Sequence, residues 1–93
     1  MHHFENLKRY QIHLKSIDWK VFRKKILLRD NNKCIICGSC KQLQVHHKQY
    51  HFSNTSKDFI KPWEYQTKLL ITICNECHDQ GHKKFKVPIK YIR

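Results

Sequence analysis

Acidic residues, glycine and proline are scarce in this 93-residue chain, and it has no long apolar run. Only 7 Asp and Glu stand against 19 Lys and Arg, a formal charge of +12 before any of the 8 histidines is protonated. Such a balance suits a polyanionic partner. With 2 Gly and 2 Pro, the chain is neither collagen-like nor a low-complexity linker. Its uninterrupted apolar runs, such as Ile26-Leu27-Leu28 and Leu69-Leu70-Ile71, are far too short to span a bilayer. Met1-His2-His3-Phe4-Glu5 has no apolar signal-peptide core, which predicts a cytoplasmic, intracellular protein without a membrane partner. A chain of this length allows one small domain, which buries only about 60–65% of its unfolded surface and gains from a staple beyond its core.

Five cysteines point to that staple. Cys34/Cys37 and Cys74/Cys77 form two separated Cys-x-x-Cys pairs, with Cys40 left over. An odd count argues against a secreted disulfide scaffold. Four thiolates from two knuckles instead match the tetrahedral preference of structural zinc. Cys37 and Cys40 also make a Cys-x-x-Cys, so Cys40 is the alternative ligand to be weighed against Cys34.

Ser16 or Asp18 can cap a helix running to about Asp30, with Trp19, Phe22 and Ile26 on one face. Residues 1–16 read as a basic N-terminal arm or short helix, 17–83 as the motif-bearing core and 84–93 as a basic tail. Leu43-Gln44-Val45-His46 alternates as a short strand, 48–63 reads as loop, and 68–73 as a second strand or a helix. A helix opens at the second knuckle, and Gly81 is placed to end it early.

Four histidines flank the knuckles. His78 and His82, at i and i+4, project from one helix face and suit two ligands on one ion. His46 and His47, adjacent on a strand, point to opposite faces, so one can bind a metal while the other faces a substrate water. Metal-assisted phosphodiester hydrolysis needs that division of labour. Asp79 can orient His78 or simply face solvent.

Cys34-x-x-Cys37-Gly38, Leu43-x-Val45-His46-His47, Pro62-Trp63-Glu64-Tyr65 and Leu70-x-Thr72-Ile73-Cys74-x-x-Cys77-His78-x-x-x-His82 together resemble an HNH endonuclease of the zinc-knuckle type. The resemblance covers roughly residues 18–83. It implies an α+β, zinc-stabilised ββα-metal finger with the N-terminal helix packed on it. It also implies DNA hydrolysis leaving a 5′-phosphate and a 3′-hydroxyl. On this pattern His47 is the general base, and His46, His78 and His82 bind a catalytic divalent ion. That ion would be Mg2+ or Mn2+, with Ni2+ or Zn2+ also suited to three imidazoles. One position departs from the family. Leu69 stands where the middle Asn braces the loop carrying the base, and Asn54, His51 or Tyr50 are the substitutes within reach of the sequence.

Of the basic residues, 9 lie in 1–33 and 5 in 83–93, so the charge flanks the histidines at both ends. DNA held through backbone phosphates is the expected partner; the residues leave RNA open, and monomer or homodimer undetermined. The alternative function is a non-catalytic zinc-knuckle module that binds nucleic acid.

Overall fold

Ser16 begins the clearest helix. Its backbone is extended, and its side chain accepts the Asp18 N–H at 3.1 Å, starting α2 (Ile17–Arg29). Trp19 and Ile26 turn inward from α2, and Asp30 closes it with its N–H on the Ile26 carbonyl. Asn31 and Asn32 then take left-handed conformations, φ 58° and 52°, which Asn tolerates better than most residues. The computed structural model describes residues 4–84 and 86–93, without the side chains of residues 4 and 82–84.

Two antiparallel strands, β1 (Leu43–His47) and β4 (Leu70–Cys74), form a ribbon in which Val45 lies opposite Thr72 and His47 opposite Leu70. A turn of 3₁₀ helix, Thr67–Leu69, leads into β4, and α3 (Asn75–Lys84) follows directly and packs on both strands. Arg29 and Asp30 clamp α2 to this ribbon. The Arg29 guanidinium donates to the carbonyls of Thr67 at 2.8 Å and Leu70 at 2.7 Å. Asp30 pairs with Arg29 and accepts the Thr72 N–H at 3.0 Å. Trp19, Ile26, Val45, Tyr65 and Leu70 form the core beneath the clamp.

A second sheet carries the order β3-β2-β5, with β2 (Tyr50–Ser53) antiparallel to β3 (Asp58–Phe59) and parallel to β5 (Ile89–Ile92). Strands β2 and β3 correct the expectation of a loop over 48–63, and β5 lies within the basic tail. Of the two readings of residues 1–16, arm or short helix, the helix is found: α1 (Phe4–His13) docks on β3. Tyr10 packs with Phe52 and Phe59, while Asn6 and Arg9 both bond Asp58, each at 2.8 Å. Gly81 does not end α3, which continues to Lys84. The result is a small α+β fold. Among the described residues no helix is long and apolar enough to cross a membrane.

Candidate functional site

The first knuckle is held by its own backbone. Cys34 N–H donates to the Ser39 carbonyl at 2.8 Å, Gly38 N–H to the Cys34 carbonyl at 2.9 Å, and Ile35 N–H to the Thr72 carbonyl at 3.0 Å. Gly38 turns the chain at φ 80°, where a side chain would be strained. The second knuckle spans the end of β4 and the first turn of α3.

These two turns bring the sulfurs of Cys34, Cys37, Cys74 and Cys77 within 4.8 Å of one another, and Cys37 Sγ lies 3.6 Å from Cys74 Sγ. Tetrahedral zinc with Zn–S bonds of about 2.3 Å requires sulfurs roughly 3.8 Å apart, so the cluster can hold a structural zinc. Burial opposes the Cys34 thiolate, but the backbone N–H groups of Cys37, Cys74 and Ile36 outweigh it and bring the thiol down to about 6. Cys40 is exposed and stands outside the cluster.

The alternation of β1 sends His46 and His47 to different surroundings. His46 reaches toward α3, where its ring meets that of His78 at 5.2 Å between centroids and 73° between planes. Both rings border a cavity of about 420 Å³ that His47, Tyr10, Arg23 and Gln44 also line. A second, more apolar groove of about 290 Å³ that runs past Ile71 and Lys48 is also bordered by His46 and His78. His82 is helical in backbone, four residues after His78, and its side chain lies outside the described residues. Asp79 is exposed, 3.9 Å from His78 Nδ1, too far for a hydrogen bond, so the solvent reading holds for it.

His47 is nearly enclosed, with 4% of its surface exposed. Its Nε2 lies 3.1 Å from the Pro62 carbonyl and 3.2 Å from the Tyr10 hydroxyl. A carbonyl only accepts, so Nε2 carries the hydrogen and Nδ1 keeps the lone pair. Trp19 stacks on the ring at 5.3 Å and 24°, and Tyr65 meets it edge-on at 4.8 Å. Burial pushes the His47 pKa below its ordinary value, partly offset by the bond to Pro62.

The substitutes considered for the missing Asn do not make this bond. Asn54 is an exposed residue tied by its N–H to Ile92, and the His51 ring pairs with Gln49 at 2.8 Å. Tyr50 contributes a ring 5.7 Å away, and Leu69 packs on the core. The contact at His47 Nε2 is instead the Pro62 backbone carbonyl, which no side-chain motif could reveal.

Arg23 of α2 also borders the cavity. It sits one helical turn after Trp19, a spacing that places both on one face of α2, and its guanidinium donates to the Leu43 carbonyl at 3.2 Å. No protein-family model, curated protein or solved structure matches this chain.

Proposed function

We propose that the protein is a metal-dependent endonuclease of HNH type that hydrolyses DNA phosphodiester bonds. One juxtaposition supports this above all: His46, His47 and His78 border a single cavity beside a four-cysteine cluster suited to zinc. Two imidazoles at 5.2 Å on one wall, with His82 the third candidate ligand, form a donor set for a divalent cation. When bound, that ion supplies positive charge against the phosphate and the departing 3′-oxygen.

His47 is the base. With Nε2–H tied to Pro62, Nδ1 accepts the proton of a water as its oxygen bonds to phosphorus. The P–O3′ bond breaks, leaving a 5′-phosphate and a 3′-alkoxide that solvent protonates. A neutral imidazole is needed for this, and burial favours the neutral form. Arg23 lies where a guanidinium can bind a non-bridging phosphate oxygen. The excess positive charge holds the polyanion largely through its backbone.

The enclosure of His47 favours a second reading, a zinc-knuckle module that binds nucleic acid without cutting it. Supercoiled plasmid incubated with Mg2+, Mn2+, Ni2+ or Zn2+ separates the two. The nuclease nicks or linearises it, and His47→Ala abolishes cutting while zinc content and DNA binding stay intact. Salt-sensitive binding with no product from the wild type selects the module; equal cutting by both proteins rejects the enzyme.

A further inference from the structure

Tyr10 belongs to none of the motifs, yet α1 carries it to His47. The helix is placed by Asp58, which accepts from Asn6 and Arg9, and the Tyr10 ring is 6% exposed between Phe59 and Tyr50. Its oxygen lies 3.2 Å from His47 Nε2. That nitrogen already directs its hydrogen at Pro62, so the Tyr10 oxygen is a second acceptor for the same N–H. Beside them the Tyr65 oxygen accepts the His51 N–H at 3.0 Å, and its ring meets that of His47 edge-on.

We propose that Tyr10 is a positioning residue for His47, supplying from α1 the orientation that the Asn absent at Leu69 supplies in HNH enzymes. This rests on the nuclease reading of His47. It makes α1 part of the active site. Two acceptors around one N–H fix both the tautomer and the tilt of the ring, and Trp19 fixes its plane.

Tyr10→Phe tests it, because Phe keeps the ring among its neighbours and removes only the hydroxyl. In steady-state cleavage of an oligonucleotide duplex, kcat falls about tenfold with KM and zinc content unchanged and the thermal midpoint lowered by only a few degrees. In protein labelled with 15N-histidine, wild-type His47 shows a protonated Nε2, and Tyr10→Phe moves that resonance and speeds its exchange with solvent. An unchanged kcat, or a rise in KM alone, overturns the positioning role. So does a wild-type His47 protonated at Nδ1, or an Nε2–H resonance indifferent to Tyr10→Phe. Wild-type protein that cuts no DNA overturns the nuclease reading instead, and the labelled spectra still judge the contact between Tyr10 and His47.

Discussion

Trp19 of α2 stacks on His47 of β1, with ring centroids 5.3 Å apart and planes 24° from parallel. The residue that anchors the core thus also sets the plane of the proposed base. Helix α2 reaches the site a second time through Arg23, one turn further on. Stability and the proposed function share a helix here, and its attachments to the β1–β4 ribbon are where perturbation is most informative.

Zinc removal comes first. In zinc-finger peptides the metal contributes about 10–16 kcal/mol of apparent binding energy, comparable with or above the whole stability of a small domain. Cys34→Ser and Cys74→Ser each lose tightly held zinc and most far-ultraviolet dichroism, while Cys40→Ser keeps both. Elemental analysis of the purified variants with circular dichroism checks this. Zinc retained in Cys34→Ser but lost in Cys40→Ser would put the wrong cysteine in the cluster.

How much of this was readable is clearest at the ends of the chain. Helix α2 announces itself because Ser16, Trp19, Phe22 and Ile26 lie close in sequence, and cap and stripe are local signals. The cysteine spacing is legible for the same reason, since coordination chemistry fixes the ligands each knuckle provides. Strands β2, β3 and β5 are two to four residues long, and β5 pairs with β2 across nearly forty residues while showing Ile89, Lys90 and Tyr91 to solvent. No local alternation betrays them. Helix α1 hides similarly: Tyr10 is its buried aromatic among exposed neighbours, and its partners Phe52, Asp58 and Phe59 lie about 40 to 50 residues away. The bond from Pro62 to His47 uses a carbonyl, which every residue possesses.

The Asp30 clamp predicts an acid dependence. Hydrogen bonding from Arg29, opposed by burial and aided by Thr72, holds the Asp30 carboxyl below its ordinary value. A depressed folded pKa means that the stabilisation is present above the unfolded value of about 3.9 and is lost as pH falls through the folded one. Asp30→Asn therefore costs about 1–3 kcal/mol at pH 7, and the difference from wild type shrinks below pH ~4. Urea unfolding of both proteins at pH 7, where zinc is retained, measures the cost, and a difference near zero there would contradict the clamp.

Arg23 offers a test of how DNA is held. Arg23→Ala weakens binding at every sequence and lowers the slope of log affinity against log salt by about 1, as removal of one phosphate contact should. Losing its bond to the Leu43 carbonyl costs about 1 kcal/mol of stability, small enough for the fold to survive. Fluorescence anisotropy across a salt series reads the slope. An unchanged slope would place the guanidinium away from phosphate.

The central claim, that His47 activates water beside a cation held by His46 and His78, is tested most directly by the ends of the DNA product. A 5′-labelled duplex incubated with Mn2+ and wild-type protein is expected to yield fragments ending in 3′-hydroxyl, with 5′-phosphate on the complementary pieces. His47→Ala should yield none while still binding the duplex. Fragments of equal yield from both proteins, or none from the wild type in any of the four metals, would contradict it.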